Sequence, residues 1–80
     1  MLELRPCCEC CGTDLPGDSP AAFICSFECT YCSDCARDTL CGSCPNCGGE
    51  LARRPARTGD ALARHPATTV RVVKEHGCAA

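Results

Sequence analysis

The chain has 80 residues, of which twelve are cysteine and none is tryptophan. A chain of this length forms one small domain and buries little apolar surface, so it needs disulfides or bound metal to hold a unique fold. Its formal net charge of −2 gives it no overall attraction to nucleic acid. No stretch is long and apolar enough to span a membrane.

The first residues, Met-Leu-Glu-Leu-Arg-Pro, show no pattern of a secretory signal peptide, since they lack a basic start and an apolar stretch. We therefore expect a cytoplasmic protein. In that reducing compartment thiols stay free unless they bind metal. An exported disulfide scaffold is the alternative interpretation of the same cysteine density.

Charge divides the chain near Leu51. Residues 1–50 carry two basic and eight acidic side chains (−6), residues 51–80 carry six basic and two acidic ones (+4), and the sum is the stated −2. Eleven of the twelve cysteines lie in the first part. We predict a cysteine-rich domain over residues 1–51, called the head, and a basic tail over residues 52–80, either partly packed on the head or disordered.

Short-range sequence patterns predict the remaining turns and helices. Residues 12–20, Gly-Thr-Asp-Leu-Pro-Gly-Asp-Ser-Pro, are typical of turns. Residues 36–40 have room for a turn or two of helix, and residues 51–57 indicate an exposed, stiff linker. In the tail, Asp60 predicts the N-cap of a short helix over Ala61–Arg64 that ends before Pro66.

A small apolar core is expected in the head, because large apolar side chains are few. Its predicted members are Leu2, Leu4, Phe23, Ile24, Phe27, Leu40 and Leu51, with Tyr31 as a further candidate.

Cysteine spacing carries the strongest signal. Two cysteines separated by two residues in a tight turn bring both sulfurs to one ion, at about 2.3 Å for zinc, while backbone N–H groups point at the sulfurs. Pro45 and Gly48 suit such a turn. Eight cysteines form four pairs: Cys8/Cys11, Cys25/Cys29, Cys32/Cys35 and Cys44/Cys47. Four pairs predict two tetrahedral zinc sites.

The second and third pairs follow each other too closely to form two independent sites in sequence, so we predict interleaved sites. Site 1 takes Cys8, Cys11, Cys32 and Cys35, and site 2 takes Cys25, Cys29, Cys44 and Cys47. This order resembles the cross-brace of RING-type zinc domains. It implies a small metal-stabilised, RING-like or treble-clef fold with little regular secondary structure, a short β-hairpin and a short helix.

Departures from the RING pattern argue against ubiquitin-ligase activity. Cys29 stands where RING domains usually have histidine, and Glu9 and Cys10 stand where RING ligases commonly place an apolar residue that touches the ubiquitin-conjugating enzyme. We see no catalytic residues, because four-cysteine sites leave no open metal position. The prediction is that the protein is not an enzyme.

The motifs "MLELRP", "CECC", "ICSFECTYCSDC" and "CPNCGGEL" together resemble a family of small bacterial proteins catalogued as domain of unknown function 1272. The resemblance runs from residue 1 to about residue 73. It implies cysteine at the eight paired positions and at Cys10, so that Cys7, Cys41 and Cys78 are additions in this chain.

Some choices stay open. Cys7 and Cys10 have the same spacing as Cys8 and Cys11 and are an alternative first pair. Cys10 is either a redox-sensitive thiol that displaces a ligand or a small side chain packed inside the turn. His65 and His76 lack ligand spacing to the head and are expected at the surface.

The sequence favours a zinc-binding structural or interaction module that binds a protein partner, with no nucleic acid and no membrane. The alternative is a thiol-rich metal-handling or redox-responsive protein that releases zinc. An iron site of the rubredoxin kind at residues 44–48 is a weaker interpretation.

Overall fold

The structure, a computed structural model, describes residues 2–73. His76 and Cys78, for which predictions were made above, lie outside the described residues. The elements in chain order are strand β1 (Ala22–Ile24), strand β2 (Thr30–Cys32), a π-helical segment (Cys35–Thr39), strand β3 (Ala52–Arg53) and helix α1 (Gly59–Arg64). No helix among residues 2–73 is long and apolar enough to cross a membrane.

Strand β1 lies at the centre of a three-stranded antiparallel sheet in the order β2-β1-β3. Strands β1 and β2 form the predicted short hairpin, with Phe23 opposite Tyr31 and Ala22 opposite Cys32. The loop between them closes with the Cys25 N–H donating to the Cys29 carbonyl at 3.2 Å. The hairpin therefore fixes the spacing between the second and third cysteine pairs.

The short helix of the head is π-helical. The Leu40 N–H donates to the carbonyl of Cys35 at 2.8 Å, one residue beyond the α-helical partner. The segment begins at Cys35, one residue before the predicted start, and Asp34 at its N-cap position makes no side-chain capping hydrogen bond. Ala36 is its buried residue.

The core forms around the cysteines and a few apolar side chains. Leu4, Tyr31 and Leu51 are buried as predicted, while Phe23 and Leu40 are partly buried and pack against the core. The prediction for Phe27 is wrong: it is 71% exposed, because it lies at the tip of the β1–β2 loop, where its N–H donates to Cys25 Sγ. Leu15, which was assigned only to a turn, is buried in the core.

The prediction that residues 51–57 form an exposed linker is wrong for the central residues of that segment. Ala52 and Arg53 form β3, which pairs with β1. Arg54 is 1% exposed, and its guanidinium donates to three carbonyls of the head. The three acceptors are Arg5 O, Leu15 O and Pro16 O, at 2.9, 3.2 and 2.9 Å.

Residues 57–73 continue to contact the head. Helix α1 begins at Gly59 with Thr58 at its N-cap position, two residues before the predicted cap Asp60. Leu62 packs on Gly17, where an added Cβ would lie 2.8 Å from Leu62 Cδ1. Arg57 donates to the carbonyls of Leu2 and His65. The following segment, residues 67–73, runs back along the head and is called the strap.

Candidate metal centres

The first centre unites four cysteines from two distant pairs. The Sγ atoms of Cys8, Cys11, Cys32 and Cys35 all lie within 4.8 Å of one another. The distance between Cys11 Sγ and Cys32 Sγ is 3.7 Å. Four sulfurs at tetrahedral positions about 2.3 Å from one ion are about 3.8 Å apart, so this donor set fits a four-thiolate metal site.

The second centre brings together Cys25, Cys44 and Cys47, whose Sγ atoms lie within 4.8 Å of one another. Cys29, the fourth predicted member, is buried beside this group but is not one of the mutually close sulfurs. Its Sγ accepts a hydrogen bond from Asn46 Nδ2 at 3.4 Å. Cys29 as a metal ligand therefore stays a prediction. All eight predicted ligands carry free thiols.

The interleaved order follows from the hairpin. Cys25 follows β1 and Cys29 precedes β2, so both lie near one end of the short strand β2. Cys32 ends β2 and Cys35 begins the π-helical segment, so this pair lies near the other end. The three residues of β2 thus separate the two centres, and the alternation of pairs is the cross-brace order predicted from the spacing.

Two turns of the same design, which we call knuckles, carry the outer pairs: residues 7–14 and residues 43–50. In each, the N–H of the first cysteine donates to the carbonyl five residues later at 2.8 Å. In each, the glycine after the second cysteine has a positive φ, +77° for Gly12 and +75° for Gly48, and its N–H donates back to the first cysteine's carbonyl. Bridges Cys7–Asp14 and Ser43–Glu50 close the two knuckles.

This equivalence decides the first pair. Cys8 and Gly12 occupy the positions of Cys44 and Gly48, whereas Cys7 lies one residue before the turn. Cys7 Sγ instead contacts the Val72 carbonyl at 3.9 Å. The alternative pair Cys7/Cys10 is therefore not the one that the fold brings to Cys32 and Cys35.

Hydrogen bonds from backbone N–H groups to cysteine sulfur occur at both centres. Backbone N–H groups donate to Cys8 Sγ from Cys10, to Cys25 Sγ from Phe27 and to Cys47 Sγ from Gly49, at 3.3 to 3.4 Å. Such donors stabilise sulfur carrying negative charge, as metal-bound thiolates do.

Glu9 is a functional residue that the sequence interpretation missed. It lies inside the first knuckle, is 3% exposed, and joins that knuckle to β2. Its carboxylate accepts hydrogen bonds from the Thr30 N–H at 2.7 Å and from Arg5 Nη1 at 2.8 Å, while its own N–H donates to the Thr30 carbonyl. The Glu9 side chain is therefore buried with a hydrogen-bond donor from β2 and a cation from Arg5.

The pKa values of the cysteine thiols differ from one ligand to the next. The Thr13 hydroxyl, 3.0 Å from Cys11 Sγ, lowers the pKa of Cys11 to about 6. Burial raises the pKa of Cys29 to about 11 and also raises the pKa of Cys35. A metal ion binds the thiolate form, so metal binding at Cys29 or Cys35 would displace protons at neutral pH.

The remaining predicted positions are not members of the sulfur clusters. Cys10 lies inside the first knuckle, where it is half-buried, packs against the core and is disulfide-bonded, so it is not a free thiol. Cys41 is exposed, and His65 is exposed as expected. Cys41 borders an open cavity of about 380 Å³. The lining residues are Phe23, Ser33, Ala36, Arg37, Cys41, Gly42 and Leu51.

Comparison with known proteins agrees with the motif-based family prediction. The model of the family described as Protein of unknown function (DUF1272) matches residues 1–57. The chain belongs to this family. The DUF1272 match contains every cysteine of both centres together with Arg54. An uncharacterized protein of Rhizobium meliloti (strain 1021) is 61% identical over 79 residues, which cover 99% of this chain and 94% of that protein. No solved structure matches the chain.

Proposed function

We propose that this DUF1272 protein is a zinc-binding structural module that presents a surface to a protein partner and catalyses no reaction. Its two centres would hold one zinc ion each: Cys8, Cys11, Cys32 and Cys35 the first, and Cys25, Cys29, Cys44 and Cys47 the second. The observation that carries the proposal is the group of four sulfurs within 4.8 Å, drawn from cysteines in separate parts of the head.

Zinc is favoured over other metals by the donor set. Sulfur-only tetrahedral sites select zinc or iron, whereas calcium and magnesium require oxygen ligands. Two knuckles interleaved around one hairpin are an arrangement that stabilises a small fold when metal is bound. A site closed by four protein ligands leaves no position for substrate or water, which supports a structural role.

Metal analysis tests this proposal. The protein is purified without added metal, and its zinc and iron contents are measured together with its native mass. We expect two zinc ions per chain and a colourless protein. An iron content of one or more per chain, with visible absorbance, would instead support an iron site and would refute the zinc assignment.

Partner binding is supported by the cavity beside the π-helical segment. Ala36 and Leu51, both buried, line it together with the half-buried Phe23. An apolar side chain of a partner protein fits such a surface, because it removes apolar area from water.

A matched pair of variants tests the partner surface. Ser33 lines the cavity, while Ser26 lies in the exposed β1–β2 loop. We expect wild-type protein and Ser26→Glu to retain the same protein from a cell extract, and Ser33→Glu to lose it. Equal retention by both variants would exclude the cavity as the contact surface.

A further inference from the structure

The two knuckles share one backbone design but differ in what covers them. The first is held by the strap: Arg71 donates to the Gly12 carbonyl at 2.8 Å and to Asp14 Oδ1 at 2.7 Å. Val73 lies against the same turn, since an added Cβ at Gly12 would be 3.9 Å from Val73 Cγ2. An added Cβ at the equivalent Gly48 meets no atom within 4 Å.

The burial of the residues in the two knuckles also differs. In the first knuckle, Cys7, Cys8 and Glu9 are buried. In the second knuckle, only Cys44 is buried, and residues 45–48 are all exposed. Each centre has one exposed ligand, Cys11 in the first and Cys47 in the second, so the contrast lies in the residues between the two cysteines of each knuckle and in the strap that covers the first.

The sulfur arrangement differs as well. The first centre has four mutually close sulfurs, whereas the second has three. Cys29 Sγ has an alternative partner in Asn46, whose Nδ2 also lies 3.3 Å from the Tyr31 hydroxyl. Tyr31 OH in turn contacts Cys44 Sγ at 3.7 Å. This polar network holds Cys29 beside the group of three without making it a member of the mutually close sulfurs.

We propose that the two centres are inequivalent: the second is an exchangeable metal site in which Cys29 is the detachable ligand, and the strap protects the metal of the first. This inference rests on the proposed function, because it requires that both centres bind metal. It adds a specific activity to a structural module, namely the delivery of a thiophilic divalent cation to an acceptor with competing ligands.

Cys29 would leave a bound metal ion as a thiolate, so that its Sγ keeps both electrons of the bond. The sulfur would then take a proton from water, or keep its charge and the hydrogen bond from Asn46. The acceptor's ligand would supply the replacing electron pair, so the exchange would require no oxidant or reductant.

The order of release is measured on the full-length wild-type protein loaded with two zinc ions. Limiting EDTA is added, and the two-metal, one-metal and metal-free species are followed by native mass spectrometry. N-ethylmaleimide is added in a parallel sample, and the labelled cysteines are mapped by peptide mass spectrometry at the time when the one-metal species predominates.

We expect the one-metal species to accumulate with labels on the second set (Cys25, Cys29, Cys44 and Cys47) and with the first set (Cys8, Cys11, Cys32 and Cys35) protected. Labelling of both sets together, without a one-metal species, would overturn the proposal, and so would early labelling of the first set. A protein that never binds two zinc ions would refute the proposed function itself, which is a distinct outcome.

Arg71→Ala tests the protective role of the strap, and Arg64→Ala, at an exposed position of α1, is the control. We expect Arg71→Ala to lose the metal of the first centre several times faster, with the second centre unchanged. The control should match wild type. If Arg71→Ala also matches wild type, the strap does not protect the first centre and that part of the proposal fails.

Discussion

Cys11 Sγ lies 3.7 Å from Cys32 Sγ, although 21 positions separate the two residues in the chain. This contact attaches the first knuckle to the end of β2. Both cysteines carry free thiols, and a bound metal ion would hold such sulfurs together.

Cys32→Ser should unfold the head. Structural zinc contributes on the order of 10 kcal/mol to small folds, which is as large as the whole stability of a typical domain. Two-dimensional NMR of the labelled protein should show loss of amide dispersion, and the zinc content should fall. Cys41→Ser is the control, because Cys41 is exposed and outside both clusters. A folded Cys32→Ser protein with two zinc ions would refute the ligand assignment.

Arg54→Met should destabilise the zinc-loaded protein. The change keeps the apolar length of the side chain but leaves three carbonyls of the head without their donor. We expect a loss of about 2–4 kcal/mol in the free energy of unfolding, measured by urea denaturation. Arg53→Met is the matched control at the exposed neighbouring position and should cost less than about 0.5 kcal/mol. Equal effects would show that the buried guanidinium has no special role.

Glu9→Ala should loosen the first knuckle from β2. The substitution leaves the buried Thr30 N–H without its acceptor and removes the ion pair with Arg5. The expected loss is about 1–3 kcal/mol in the free energy of unfolding. Glu50→Ala, at an exposed position that closes the second knuckle, is the control. An unchanged midpoint of thermal unfolding for Glu9→Ala would contradict this assignment.

Zinc affinity should rise with pH. Burial raises the pKa of Cys29 to about 11 and that of Cys35 in the same direction, so both thiols are protonated at neutral pH before metal binds. Binding then releases these protons, and the apparent affinity falls as pH falls. A competition titration with a chromophoric chelator between about pH 6 and pH 8 measures this slope. An affinity independent of pH would mean that the ligand thiols are already ionised.

The positions of the sulfur clusters could be predicted from the sequence because the determinants are local. A Cys-x2-Cys turn followed by glycine brings its two sulfurs together whatever surrounds it, and the short hairpin forces the interleaving. Gly12 follows Cys11 as Gly48 follows Cys47, and both glycines have a positive φ. The position of the Cys29 sulfur is not determined by local spacing, because Asn46, which lies on the second knuckle, donates a hydrogen bond to it.

Long-range contacts explain the errors. Arg54 lies in a run of basic residues that is typical of an exposed segment, yet β3 pairs with β1 and directs Arg54 towards carbonyls of residues 5–16. Leu15 is surrounded by turn residues, yet it packs in the core, where its N–H donates to the Pro6 carbonyl and its own carbonyl accepts from Arg54. Phe27 is exposed because it lies at the tip of the β1–β2 loop, two residues from each of the buried Cys25 and Cys29. The burial or exposure of these three residues cannot be predicted from the cysteine spacing alone.

The most direct test of the central claim is native mass spectrometry with metal analysis of the purified chain, before and after a chelator. The account predicts two zinc ions per chain and loss of the fold when both are removed. A fold that survives removal of all metal would contradict it, because the sulfur clusters would then not be what holds the head together.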